Sequence, residues 1–489
     1  MRRLGRWRRR SGTEPLSDGD VALLAVVAAV SVWRPPAVVI IAILVLLLVL
    51  VPVRVASVGR RRSSWRFVPV ACAAVVVVMV GAWRSGAALD GLVPDRLGPY
   101  AGWAKVVDDP QPFDGATRVI VEIERERFEL WARGRARRIR VTDWRAGEFV
   151  QVSGRRVDLA VDRADRVAWQ HVVGRFDAEW LGDRRPGSGV DRASNRVRTL
   201  IERAGGYLPG DDGALFRGLV IGDDRDQPTE MIARFRRSGL SHVTAVSGQN
   251  VSFLIAAMAP VLLRLRTWPR WTATVSLVVW FVSLTRFEPS ILRAGTMAVW
   301  SATALALGRP RAPFRILATS VLVLVLVDPL LVRSVGFWLS VGATGGVTTV
   351  GPWLTARLGA LGRLAGPVGI TLGAQVGVVL PAILVFGRLP VMSVPANLVA
   401  VPVAGFVMFY GLPAGLVAGL SAGAAPWVGW IVMLPCRLGV RWVDIVAAVG
   451  AALEPSGVAV WIGWAMVGAG VALIAAKNRG DHGNTSADR

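Results

Sequence analysis

The sequence predicts a mainly α, polytopic membrane protein that carries an inserted, extracytoplasmic small β-barrel or meander. Three observations predict it. First, 53% of the 489 residues are hydrophobic, mean hydropathy is +0.48, and long apolar runs recur, which excludes a soluble enzyme. Second, residues 84 to about 235 hold no apolar run long enough to span a bilayer and instead alternate with period two. Third, the arginines collect on alternate connections between apolar runs, as the positive-inside rule requires.

A hydrocarbon core about 30 Å thick needs roughly 20 apolar residues per helix. The first candidates are 20–33, 36–53 and 67–83, the first two joined as a hairpin by "RPP". The N-terminal "MRRLGRWRRR" followed by "VALLAVVAAVSVW" has the charge of a signal peptide but no small-residue cleavage site, so it is expected to be retained. Arg54, Arg60, Arg61, Arg62 and Arg66 lie between the second and third runs. They hold that loop in the cytoplasm, residues 1–83 form an N-terminal membrane region, and the third span exits outward.

Residues 84–190 are expected as the extracytoplasmic β-rich domain. The alternating runs "RVIVEIE" (118–124), "RFELWA" (127–132), "RRIRVTD" (137–143) and "FVQVSG" (149–154) read as strands separated by Gly and Asp turns. Arg135, Arg137, Arg138 and Arg140 form its dense basic run, which fits a nucleic-acid surface or a solvated strand face. Residues 191–241 show Leu and Ile at helical spacing with charged faces, expected as interfacial amphipathic helices.

A second membrane block covers 242–476. Its candidate spans are 242–263, 272–285, 289–307, 313–328, 335–354, 366–386, 391–423, 427–449 and 457–475. The run 391–423 is long enough for two spans, or one plus a re-entrant piece. Basic loops at 264–270, 308–315 and 356–363 fall on alternate connections, consistent with an extracytoplasmic domain whose exit helix enters the membrane at 242. Glycines spaced by four at 342 and 346, at 369, 373 and 377, and at 411, 415, 419 and 423 mark faces where helix backbones approach closely. Residues 477–489 read as a polar, disordered tail.

The chemistry is sparse. Cys72 and Cys436 lie far apart in apolar stretches and behave as small hydrophobes. Three histidines in three separate regions predict no metal site, and no phosphate loop or dinucleotide fingerprint predicts a cofactor. The net charge of +23 suits cytoplasmic anchoring and a polyanionic ligand alike.

Polar groups at membrane depth are costly and face bundle interiors or wet paths. His242, Ser247, Gln249, Asn250, Ser290, Arg293, Asp328, Ser340, Gln375 and Asn397 are the candidates, several of them beside the helix breakers of "FEPSILRAG", "LVDPLLVRSVGFWLS" and "PVMSVPANLVAVPVAG". A hydrolase with Ser247 as nucleophile and His242 as base lacks a Gly-x-Ser-x-Gly elbow and an obvious acid to orient the histidine.

The stretch "IGDDRDQPTEMIARFRRSGLSHVTAVSGQNVSFL" (221–254) resembles the signature of ComEC-type competence proteins. "EPSILRA" (288–294), "DPLLVRSVGFWLSVGATGG" (328–346) and "QVGVVLPAILVFGRLPVMSVPANLVAVP" (375–402) resemble the later blocks of that family's membrane domain in the same order. "GRFDAEWLGDR" (174–184) resembles the end of its oligonucleotide-binding-like (OB-like) domain. Many members continue into a metallo-β-lactamase-like domain, whereas this sequence is expected to be the form without it, ending in "AAKNRGDHGNTSADR".

The resemblance implies a plasma-membrane channel that conducts single-stranded DNA into the cytoplasm during natural transformation, not an enzyme. It implies the lipid bilayer, a DNA-receptor protein, a cytoplasmic ATPase or helicase and a separate nuclease as partners. His242, Ser247, Gly248, Gln249, Asn250, Ser290, Arg293, Gln375 and Asn397 would line the path, with Arg135, Arg137, Arg138, Arg140, Arg236 and Arg237 as DNA contacts. A small-solute or lipid-linked-glycan transporter and an intramembrane Ser hydrolase are the alternatives.

Overall fold

The computed structural model describes residues 17–33, 67–113, 115–244 and 247–487, with side chains at 33, 67–71 and 478–487 excepted. The basic N-terminus, the expected span 36–53 and the arginine loop after it lie outside the described residues. The chain forms two compact units.

The first unit takes Met1–Ala88 and Ala318–Pro329. It contains α1 (Asp18–Trp33) and most of α2 (Phe67–Asp90), which meet through Val27 and Val78. Ser85 Oγ donates to Val32 O at 3.1 Å, satisfying a carbonyl in the last turn of α1. A third helix, α12 (Pro313–Val327), has its later residues here, and Arg84 Nε donates to Leu326 O at 3.2 Å.

The second unit begins with a six-stranded sheet: β1 (Gly98–Val106), β2 (Gln111–Phe113), β3 (Ala116–Ile123), β4 (Glu126–Arg133), β5 (Phe149–Asp158) and β6 (Val172–Arg185). The order is β1-β5-β6-β4-β3-β2, and β1 pairs with β3 as well, through Lys105 with Glu122 and Val106 with Val121. β4 and β6 are parallel; the other pairs are antiparallel. Glu124 and Arg125 both take left-handed φ (54° and 77°), the geometry of a two-residue hairpin turn between β3 and β4. Inward residues at every second position, among them Val119, Val121, Ile123, Phe128, Leu130, Val150, Val152 and Phe176, form the domain core with Trp144.

Residues 137–143, expected as a strand, instead belong to α3 (Arg135–Thr142). In a strand Ile139 and Val141 would share a face; here Ile139 is exposed and Val141 is fully buried. The alternation was one of arginines, good helix formers, and it carried too few apolar residues to cover a sheet. A short helix α4 (Val161–Val167) precedes β6.

Three helices follow: α5 (Gly189–Gly205), α6 (Asp212–Ile221) and α7 (Thr229–Arg237). α5 opens on a capping box, Ser188 and Asp191 bonding reciprocally. α6 departs from the interfacial reading. Leu215, Phe216, Leu219 and Ile221 are fully buried, so it is a core element rather than a surface one. What buries it is α15 (Ser393–Ser421), where Gly411 and Gly415 meet Phe216 and Gly419 meets the backbone of Leu200.

The remaining elements are the single turn α8 (Ser241–Thr244), α9 (Gly248–Leu262), α10 (Thr267–Leu284), α11 (Pro289–Ala306), α13 (Val335–Arg357), α14 (Ala365–Phe386), α16 (Pro426–Leu453) and α17 (Ala459–Ala487). The run 391–423 is thus one helix, continuous through Pro402 and Pro413. α17 extends to Ala487 and takes in most of the segment expected as a polar tail. Among the described residues, four helical segments are long and apolar enough to cross a membrane: Cys72–Asp90, Gly359–Phe386, Ser393–Ser421 and Ala459–Lys477. The protein is mainly helical, with a small sheet domain.

α13 and α14 pack backbone to backbone. A Cβ on Gly346 would strike Gly373 O, and one on Gly377 would strike Gly342 O, so these positions accept hydrogen alone.

Candidate functional site

A cavity of about 1760 Å³ opens within the second unit. One side is built from the sheet domain, through Arg118, Arg163, Arg166, Trp169 and Gln170, and from the "GDDR" loop at 222–225. Most of the rest is built from α8, α9, α10, α11, α13, α14 and α15, with Arg198 of α5 and Arg236 of α7.

Of the residues singled out in the sequence, His242, Ser247, Gly248, Gln249, Ser290, Arg293, Gln375, Asn397 and Arg236 all line this cavity. Their local placement follows from helix ends. Ser247 caps α9, Glu288 and Pro289 open α11, and Ser393 sits at the start of α15, so breaks in apolar runs bring polar groups to one space. Gln375 Nε2 donates to Ser393 Oγ at 2.9 Å, tying α14 to α15. Asn397 Oδ1 is buried with no hydrogen-bond partner among the described residues.

Asn250 departs from the expectation. It is buried away from the cavity, donating from Nδ2 to Leu219 O at 2.9 Å and accepting from Ser247 N at 3.3 Å. Its role is to fix α9 against α6. Ser247 Oγ also donates to Asn250 Oδ1, at 3.2 Å, rather than to His242, so the two groups of a hydrolase reading are not joined. Arg237 and the arginines of α3 are not cavity residues. Arg137 and Arg140 donate to the carbonyls of Ala178 and Leu181 on β6.

The cavity wall holds a charge network that sequence reading did not reveal. Asp109 accepts from Arg286 Nε and Nη2, both at 3.1 Å, and pairs with Arg198 at 3.0 Å. Asp223 pairs with Arg225 at 2.6 Å and with Arg198 at 3.4 Å, and Arg225 reaches Glu202 at 2.9 Å. Burial alone would raise the Asp109 carboxyl, but Arg198, Arg286 and Arg225 together hold it well below the usual carboxylate range. Asp223 is likewise held at about 2.

Three nearby carboxylates behave oppositely. Burial, then the charge of Asp109, pushes Asp108 up to about 6. Burial, then the charges of Asp108 and Asp224, pushes Glu288 up to about 7, and Asp224 is also raised. Arg286 and Phe287 take left-handed φ of 60° and 58°, a strained turn for non-glycine residues that the bonds to Asp109 hold in place.

On the sheet-domain side, Glu129 is buried and grips two cavity arginines, Arg118 at 2.6 Å and Arg163 at 2.7 Å. Arg163 also stacks over Trp131, whose other neighbour is the exposed ring of Phe113. Guanidinium groups and aromatic faces together are the means by which proteins hold single strands. These residues are far apart in the chain and carry no motif; only the folding of the domain gathers them.

The model of the family described as Competence protein matches residues 219–479. The chain is similar to ComE operon protein 3 of Bacillus subtilis (strain 168), 31% identical over 229 residues that cover 46% of this chain and 29% of that protein. It is also similar to the uncharacterized protein YcaI of Escherichia coli (strain K12), 25% identical over 223 residues covering 42% of this chain and 29% of that protein. The matched stretches therefore span under a third of these relatives. No solved structure matches the chain. The family match takes in the cavity helices from α7 onward and leaves out the sheet domain and α5, which supplies Arg198.

Proposed function

The chain belongs to the competence protein family, and from that premise we propose that it is a multi-pass plasma-membrane channel that conducts single-stranded DNA into the cytoplasm during natural transformation. One observation carries the reading. A large cavity between the sheet domain and the helices brings together the polar side chains of His242, Gln249, Ser290, Arg293, Gln375 and Asn397 from five separate elements. Polar groups kept at such depth are otherwise costly, and a strand charged at each nucleotide needs a wet, electropositive path.

The sheet domain fits the same purpose. A ring of pairings that runs β1-β5-β6-β4-β3 and returns to β1, with β4 parallel to β6, supports an OB-like barrel, a fold that binds oligonucleotides on one face. Its arginines at 118, 163 and 166 border the cavity and would receive the strand before it enters the bundle. The distribution of arginine-rich loops supports an extracytoplasmic position for this domain. A DNA-receptor protein outside, and a helicase and nuclease as separate chains, would complete the pathway.

The test is uptake of a fluorescent single strand into nuclease-protected cytoplasm. Cells lacking the chain should internalise none, wild type should restore uptake, and Arg293→Leu at matched membrane level should not. Full uptake by the Arg293→Leu cells would remove the cavity from the path.

A further inference from the structure

We propose that Arg293, Gly248 and the first turn of α9 form a discrete subsite for one phosphodiester of the strand, an inference that rests on the conduction reading and assigns a place within it.

Three arginines among the described residues are buried. Arg156 pairs with Glu124, Arg198 pairs with Asp109 and Asp223, and Arg293 pairs with no carboxylate among the described residues. Its Nε donates to Ser340 Oγ at 2.8 Å and its Nη1 to Met297 Sδ at 3.1 Å, both neutral groups, and Nη2 has no acceptor among the described residues. A guanidinium 5% exposed, in the wall of a cavity and without a counter-ion, is an electrostatic debt that an anion in that cavity would cancel.

The direction of Nη2 says where that anion sits. A Cβ placed on Gly248 would lie 2.8 Å from Nη2, so the guanidinium rests against the first residue of α9. A helix N-terminus carries the positive end of the helix dipole, and a cation beside it is repelled rather than held. In α9, Asn250 N is bonded to Ser247 O, while the amides of Gly248 and Gln249 have no acceptor among the described residues. Two positive ends converging on one cavity-facing spot are balanced by an anion lying between them. Gly248 is what allows the approach, since any larger residue would push the guanidinium away. Guanidinium with backbone amides is the donor set that binds a phosphate oxygen pair. A lipid headgroup offers the same phosphate chemistry.

The experiment uses the full chain in nanodiscs and a fluorescent oligothymidylate, titrated over a range of salt, with and without phosphatidylglycerol in the bilayer. Arg293→Gln should weaken binding about tenfold, the effect of one charged hydrogen bond. It should also flatten the dependence of log affinity on log salt by about 0.7, one phosphate contact. Gly248→Ala, which retains the charge but displaces the guanidinium, should give the same loss in affinity, and it decides the matter if Arg293→Gln does not fold. Wild-type protein that binds no strand sinks the conduction reading itself. Wild-type binding that neither variant changes overturns the subsite alone. An affinity of wild type that falls with phosphatidylglycerol, while that of Arg293→Gln does not, assigns the site to a lipid headgroup and also overturns it.

Discussion

Arg286 and Asp109 are joined by two hydrogen bonds of 3.1 Å across 177 residues of sequence. The carboxylate belongs to the loop after β1 and the guanidinium to the turn between α10 and α11, so the pair fastens the sheet domain to the helical bundle in the cavity wall. Removing the carboxylate leaves Arg286 without its carboxylate partner and Arg198 with Asp223 alone. Asp109→Asn should therefore cost about 3–5 kcal/mol in denaturant unfolding of the purified protein. A loss under about 1 kcal/mol would class the pair with exposed ion pairs.

Acidity should act at the same wall in a defined direction. Glu288 is pushed up to about 7 from an ordinary value of 4.5, so the folded protein holds its proton after the unfolded chain has lost it. Stability from this group is then greatest below about 4.5 and declines as pH rises toward 7. Glu288→Gln should flatten that decline in melting temperature across the window. Asp109 and Asp223 stay ionised there and contribute no slope. Parallel pH profiles for wild type and variant would contradict the assignment.

The seam between α13 and α14 tolerates no side chain. Gly346→Val or Gly373→Val should destabilise by about 3 kcal/mol or more, the upper range for overpacking, and reduce the folded yield. Gly366→Ala and Gly470→Ala, which meet nothing within 4 Å, serve as controls and should leave the yield unchanged.

Asn250 and Arg293 should separate folding from transport. Asn250→Ala leaves Leu219 O and the cap of α9 without their partners, an effect of about 1–3 kcal/mol, so it should lower protein level. Arg293→Gln should preserve level and lose uptake. Immunoblots and uptake assays on the same cells would show the two patterns, and loss of uptake at full level in Asn250→Ala would return Asn250 to the path.

Labelling on intact cells tests the orientation. With Cys72 and Cys436 replaced, Val161→Cys on the sheet domain should react with an impermeant maleimide, and Arg266→Cys between α9 and α10 should not. Both positions are exposed, so reactivity reports the side of the membrane.

Much of this organisation was legible because hydrophobic length and period are local properties. The helices at 289–306 and 365–386 stand within a few residues of their expected bounds, and the Gly342, Gly346, Gly373 and Gly377 contacts follow from spacing alone. The site was legible in part, since a polar residue in an apolar run announces itself. Asn250 was misjudged because polarity does not say which way a side chain faces. Asp109, Arg198 and Arg286 escaped notice because each sits in an ordinary charged segment and gains meaning only when loops from two domains meet. Residues 137–143 misled because alternating arginines imitate a strand.

The glycine seam has a mechanical consequence for the cavity. Two helices with touching backbones cannot slide or roll separately, so α13, with Ser340, and α14, with Gln375, behave as a single plank. A plank gives no play of its own. Any relative motion of the wall then falls where α11 leans on that plank, and there Arg293 Nε donates to Ser340 Oγ at 2.8 Å.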